Sequence, residues 1–160
     1  MAKNILIIYS SIDGHTISIC EHISKNLENA HYPRLVDLKN ITQSNLEEAE
    51  KILIGASIRY GDHSKELYNF VKSHKNIIEG KENAFFSVNA VARKPEKNKP
   101  DTNPYIKKFL KRTGWMPNEI GVFAGKIDYP KYNFLDKHMI RLIMWITKGP
   151  TDLEKTYEFT

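Results

Sequence analysis

Ile5-Leu6-Ile7-Ile8-Tyr9 runs without interruption into Ser10-Ser11-Ile12-Asp13-Gly14-His15-Thr16, and Thr16 opens a stripe of Ile19, Cys20, Ile23 and Leu27 at helical spacing. The five apolar residues are too few for a helix and rich in β-branched types, so they read as a strand buried on both faces. The stripe that follows reads as one face of an amphipathic helix. A strand, a hydroxyl-rich loop with one glycine and a helix N-terminus in succession make an anion cradle. Exposed N–H groups and the positive end of the helix dipole attract a dianion, and the hydroxyls of Ser11 and Thr16 can donate to it. The same residue types also serve as a plain turn and helix cap, and Asp13 has to turn its carboxylate away from any bound phosphate.

Four more β-rich runs occur at residues 34–38, 51–56, 84–89 and 120–125, separated by longer stretches of helical spacing. This is the βαβα rhythm of a parallel sheet covered on both faces. Between the runs, Ser44 and Glu47 have the spacing of a capping box, Leu67, Phe70 and Val71 share a stripe after Ser64, and Asn103-Pro104 is a cap and first-turn proline leading into Ile106, Phe109 and Leu110. Two stretches break the rhythm. Residues 92–100 carry Arg93, Lys94, Lys97 and Lys99 with two prolines, and read as an exposed loop. Residues 129–149 contain a helix with a stripe of Phe134, Leu135, Met139, Leu142, Ile143 and Ile146, flanked by Ile140, Met144 and Trp145. At about 15 residues it is too short to span a bilayer, so it is either buried between layers or lies on a membrane or partner. Its wide apolar arc, with Trp145 near Arg141 and Lys148, points to Ile140, Met144 and Trp145 as membrane contacts.

At 160 residues and 18.5 kDa the chain reads as one domain spanning residues 1–160. Its 41% apolar and 27% charged composition excludes disorder or a collagen-like repeat as the whole answer. The single cysteine, Cys20, excludes an internal disulfide framework and a zinc site of several thiolates, fits a reducing compartment, and reads as a small buried residue rather than a nucleophile. The first apolar run is too short for a signal-peptide core, so a cytoplasmic location is expected. His15, His63 and His74 are scattered without a metal-binding spacing, and no metal is expected. The net charge of +5 and pI near 9.2 suit an anionic partner without selecting one.

The spacing Ile7-Ile8-Tyr9-x-Ser11-x-x-Gly14-x-Thr16 is the phosphate-loop pattern of flavodoxins. Three further blocks are more specific: Ile54-Gly-Ala-Ser-Ile-Arg-Tyr-Gly61, Phe86-Ser-Val-Asn-x-Val-Ala-Arg-Lys-Pro-Glu-Lys97, and Ala124-Gly125 followed by Tyr129-Pro-x-Tyr132 and Met139-Ile-x-Leu-Ile-Met144. On these the chain resembles flavodoxin-like FMN proteins and, within them, the menaquinone-dependent protoporphyrinogen oxidase family. The resemblance implies a three-layer α/β sandwich, a five-stranded parallel sheet of order 2-1-3-4-5 and a long helical insertion in the fifth strand. Since the sequence ends at Thr160, the resemblance leads to the expectation that the family's final helix is not part of it. FMN is expected at the carboxyl edge where the strand order reverses. Ser11, Ile12, Asp13, Gly14, His15 and Thr16 would hold its phosphate. Ser57, Ile58, Arg59, Tyr60 and Gly61 would line the ring on one side, with Tyr60 either stacked on it or filling the rim, and Asn89, Ala90, Val91 and Arg93 on the other.

The implied activity is oxidation of protoporphyrinogen IX to protoporphyrin IX for haem biosynthesis, two electrons at a time over three rounds, with a membrane quinone (menaquinone or ubiquinone) as acceptor. Arg93, Lys94, Lys97 and Lys99 can pair with the two propionates of the substrate. The expected partners are therefore the porphyrinogen, the quinone and an anionic membrane surface on the cytoplasmic side, with no nucleic acid and with homo-oligomerisation left open. No side chain is identified as an acid or base. A flavodoxin-type electron carrier is the alternative, disfavoured by the basic charge, since such carriers are typically acidic. A nicotinamide-dependent quinone reductase needs a nicotinamide site that the sequence does not display.

Overall fold

The structure is a computed structural model that describes residues 2–10, 15–58, 61–89, 92, 94–124 and 137–148. The strands are β1 (Asn4–Ser10), β2 (Tyr32–Asp37), β3 (Lys51–Ser57), β4 (Glu82–Val88) and β5 (Glu119–Phe123). The helices are α1 (His15–Leu27), α2 (Gln43–Glu48), α3 (Lys65–Glu79), α4 (Pro104–Thr113) and α5 (Lys137–Lys148). All strand pairs are parallel and the order is β2-β1-β3-β4-β5, the order expected from the sequence. The register sets Ile7 opposite Leu35 on one side and Leu53 on the other.

Alternation of side chains across the sheet divides the core in two. Ile5, Ile7, Leu53, Ala84 and Phe86 pack against Ile19, Cys20, Ile23 and Leu27 of α1 and Leu142, Trp145 and Ile146 of α5. Leu6, Ile8, Ile52, Ile54 and Phe85 pack against Leu46, Leu67, Val71, Ile106, Phe109 and Trp115 on the opposite face. Each fully buried Leu, Ile or Phe side chain contributes about 1.5–3 kcal/mol, so two filled faces are what hold a parallel sheet of this size. Gly55 leaves room for the Phe86 ring that packs across β3: a Cβ there would run into Phe86 Cζ.

The predicted α1 stripe is buried at every position. Asn103 caps α4, accepting from the amides of Tyr105 and Ile106, with Pro104 in the first turn as expected. The capping box of α2, however, forms on Thr42 and Asn45, two residues before the expected Ser44 and Glu47. The chain is still extended at Thr42 (φ −119°, ψ 163°) and turns helical at Gln43. Past the Leu67, Phe70 and Val71 stripe, α3 kinks at His74 (φ −115°, ψ 17°) and continues to Glu79.

Helix α5 corrects one expectation. Trp145, assigned to a membrane contact, is only 6% exposed, and with Leu142 and Ile146 it forms the face that closes the sheet beside α1. Ile140 and Met144 are half-buried. Trp145 therefore falls to the core reading, whereas Ile140 and Met144 lie on the partly exposed side of the helix. A return of the fifth strand after this helix would fall beyond Lys148, outside the described residues, as do Phe134 and Leu135.

The amino end of the sheet spends its polar groups on this architecture. Lys51 is 1% exposed; its Nζ donates to the carbonyls of Trp145 (3.0 Å) and Ile146 (3.2 Å), pairs with Glu82 (3.0 Å) and lies 4.8 Å from the Trp145 ring centroid. It thus caps the last turn of α5, where cations are favoured by the helix dipole. Lys81 Nζ does the same for α2, donating to the carbonyls of Leu46, Glu47 and Ala49. Asn83 accepts from Trp115 Nε1 (2.9 Å).

Candidate functional site at the carboxyl edge

Strand β1 has β2 on one side and β3 on the other, and the connections after β1 and β3 leave in opposite directions. A crevice therefore opens at the carboxyl ends of β1 and β3. Ser10, the last residue of β1, places its hydroxyl 3.3 Å from that of Ser64, which in turn accepts from Leu67 N as the cap of α3. The start of α3 is thereby stapled to the end of β1.

Helix α1 begins at His15, so Thr16 sits in its first turn. Thr16 is fully buried, and its Oγ1 has no hydrogen-bond partner among the described residues. A buried hydroxyl left so costs about 1–3 kcal/mol. An acceptor supplied from outside the fold would remove that cost. At a helix N-terminus beside a strand-order reversal, the arrangement fits the phosphate of a flavin mononucleotide.

Two other predicted segments arrive at the same edge. Ile58 N donates to Val88 O (3.1 Å), carrying the β3–β4 ladder one residue past Ser57, and Asn89 N donates to Phe123 O (2.9 Å). Gly61 has φ +79° with open space where a Cβ would be, so glycine is required there by the backbone rather than by crowding. Asn89 and Asn103 exchange side-chain amide bonds (2.8 and 3.3 Å), and Asn103 Nδ2 also donates to Lys97 O (2.9 Å). This amide pair fastens the basic loop to the rim of the site, where Lys94 and Lys99 are exposed and Lys97 half-buried. Ser11, Ile12, Asp13, Gly14, Arg59, Tyr60, Ala90, Val91 and Arg93 lie outside the described residues, as does the side chain of His15.

Sequence reasoning missed the support beneath these loops. Asp62 Oδ1 accepts from His63 N (2.8 Å) and Tyr68 OH (2.5 Å), and its Oδ2 pairs with Lys108 (3.0 Å) and Arg112 (3.3 Å). Burial pushes the Asp62 carboxyl up. The hydrogen bonds from Tyr68, Lys108 and the His63 amide, with the Lys108 charge, more than reverse this and hold it below the ordinary value. His63 is 4% exposed, packed on the rings of Phe85 and Phe109, with Nε2 2.9 Å from Ser87 Oγ. Burial, and secondarily Lys108, lowers its pKa to about 4 against an opposing pull from Asp62, so the ring is neutral at pH 7. Ser87 Oγ also accepts from Asn89 Nδ2 (3.0 Å), and His63 Nδ1 has no hydrogen-bond partner among the described residues. The turn after Gly61 was legible in the sequence; its ties to α4 were not, because they join residues distant in the chain. The Cys20 thiol is buried and its pKa raised by desolvation, consistent with a packing role.

These features define a class before they define a reaction. A family model described as a flavodoxin domain matches residues 6–154, and the chain belongs to that family. The chain is 44% identical over 157 residues (97% of the chain, 68% of the relative) to a protein of Leishmania major named protoporphyrinogen IX dehydrogenase [quinone]. It is 38% identical over 156 residues (97% and 86%) to the protein of that name from Escherichia coli K12. These relatives are oxidoreductases. Among solved structures, two-electron reduced Megasphaera elsdenii flavodoxin covers 78% of the chain and 89% of its own length at TM-score 0.62 and 13% identity. A Fusobacterium nucleatum flavodoxin variant bound to flavin mononucleotide matches with TM-score 0.53 and 18% identity over 92% and 95%. Likeness at that level speaks to the fold.

Proposed function

We propose that this chain oxidises protoporphyrinogen IX with FMN as its cofactor and a membrane quinone as electron acceptor. The observation that carries the reading is the 38–44% identity, over 97% of the chain, to proteins named for that reaction. The buried, unpartnered hydroxyl of Thr16 at the head of α1 supports the cofactor.

When bound, FMN supplies two-electron redox chemistry that no side chain of the protein provides. The chain's own tasks are to bind and orient. Thr16, with Ser11, Gly14 and the first-turn amides of α1, would hold the phosphate. Ser57, Ile58 and Gly61 would line one side of the ring and Asn89 the other, on loops braced by Asp62 and the Asn89–Asn103 pair. Arg93, Lys94, Lys97 and Lys99 would receive the substrate propionates at the rim, as charge pairs that orient the macrocycle without entering the chemistry. Among the described residues no helix is long and apolar enough to cross a membrane. The net charge of +5 favours attachment to an anionic leaflet, where a membrane quinone is reached.

The test is anaerobic mixing of the FMN-loaded protein with protoporphyrinogen. Bleaching of the oxidised flavin band, followed by its return on addition of quinone, is the expected result. A flavin that stays oxidised would sink the assignment.

A further inference from the structure

Residues 93–112 contain eight Lys and Arg against only Glu96 and Asp101, a net charge of +6, while the whole chain carries +5; the other residues together are therefore at −1. All of the protein's excess positive charge belongs to one continuous segment, the basic loop and α4. In its described part, residues 94–112, the loop runs directly into the helix. The Asn103 cap and its bond to Lys97 O join the loop to the head of α4, and α4 then runs about 15 Å away from the site. Ile106, Phe109 and Thr113 face the core, whereas Lys107, Lys108, Lys111 and Arg112 are exposed. Lys108 and Arg112 are committed to Asp62; Lys107 and Lys111, one turn apart, have no acidic partner among the described residues. Just past the helix, Met116 is 80% exposed, the most exposed large apolar side chain described.

We propose that the outward face of α4, through Lys107 and Lys111 with the exposed Met116 just past the helix end, is the surface by which the protein lies on an anionic bilayer. Lysine on a flexible stem suits a fluid, diffuse array of headgroup charges. Protein interfaces, by contrast, are depleted in lysine and draw on the fixed fork of arginine. An exposed methionine just past such a helix can enter the headgroup boundary, as apolar residues of interfacial helices do. The orientation sets the basic rim of the site against the membrane rather than away from it, and leaves Trp145 of α5 in the core. This inference rests on the reading that the electron acceptor is a membrane quinone.

The experiment is co-sedimentation of the FMN-loaded full chain with vesicles of phosphatidylcholine containing phosphatidylglycerol, and with phosphatidylcholine alone. The wild type should pellet with the anionic vesicles only. The double variant Lys107→Glu, Lys111→Glu should bind them roughly a hundredfold more weakly and Met116→Gln several-fold more weakly. Both should keep the wild-type circular dichroism, flavin content and turnover with a short-chain soluble quinone. Equal binding by the double variant overturns the proposal, as does failure of the wild type to bind, which is the outcome expected if an acidic protein is the true partner. Loss of binding in Ile140→Gln, Met144→Gln but not in the α4 variant would move the contact to α5. Vesicle binding that depends on Lys107 and Lys111 without any quinone turnover supports the surface and removes the enzymatic reading instead.

Discussion

Lys51 at the amino end of the sheet and Thr16 at the carboxyl end are both fully buried polar residues, yet their surroundings are opposite. Lys51 has two carbonyls, a carboxylate and an indole face within reach, whereas the Thr16 hydroxyl has no partner among the described residues, and neither has Nδ1 of His63 at the same end. One end of the molecule converts its polar groups into stability by capping α2 and α5. The other end also ties down Asp62 and the Asn89–Asn103 pair, but it leaves these two buried groups uncompensated at about 1–3 kcal/mol each. An unpartnered buried hydroxyl at the head of α1 is the kind of group that an acceptor from outside the fold would satisfy, which is why the proposed phosphate site is placed there.

The comparison breaks if substitutions at the two ends have the same consequences. Lys51→Met leaves two buried carbonyls of α5 without their donor and should lower unfolding stability by about 3–5 kcal/mol in urea titrations, with FMN affinity of the folded fraction unchanged. A large loss of affinity would mean that the two ends are not separable.

Acid should act on the carboxyl end through His63. Its folded pKa is lowered to about 4 from 6.5, so as pH falls the unfolded chain takes up a proton first and folded stability declines from near pH 6.5 down to about pH 4. The full effect is about 3 kcal/mol. Unfolding titrations across this range should show a shallower slope for His63→Leu than for the wild type; an identical slope would refute the assignment.

Thr16→Val sharpens the contrast most directly. It should weaken FMN binding by about 1.5–3 kcal/mol, roughly tenfold to more than a hundredfold, while leaving the flavin-free protein as stable as before or slightly more so. Equilibrium dialysis and apoprotein melting read the two quantities separately. Unchanged FMN affinity, or a destabilised apoprotein, would show that the hydroxyl is structural.

The smallest effect belongs to the rim. Changing Arg93 and Lys94 to Ala should raise KM for the tetrapyrrole by about 1 kcal/mol per charge pair, an effect that shrinks in high salt. If FMN dissociates instead, the loop serves the cofactor.

What could be read from the chain alone was whatever depends on near neighbours. The α1 stripe from Thr16 to Leu27, the Asn103-Pro104 cap and the five apolar runs each follow from a period or a local hydrogen bond, and all are present in the structure. The strand order came with the loop motifs, because flavodoxin spacing carries a topology along with a phosphate loop. The fold of the chain decided the rest. A wide apolar arc on α5 is compatible with lipid or with core, and only the packing of Trp145 over Lys51 assigns that residue to the core. The ties from Asp62 to Lys108 and Arg112, and the Asn89–Asn103 pair, join residues far apart in sequence. Such pairs have no local signature, because each partner alone has the composition of an ordinary loop or solvated helix, and their energy arises only when the folded backbone brings them within about 3 Å of one another.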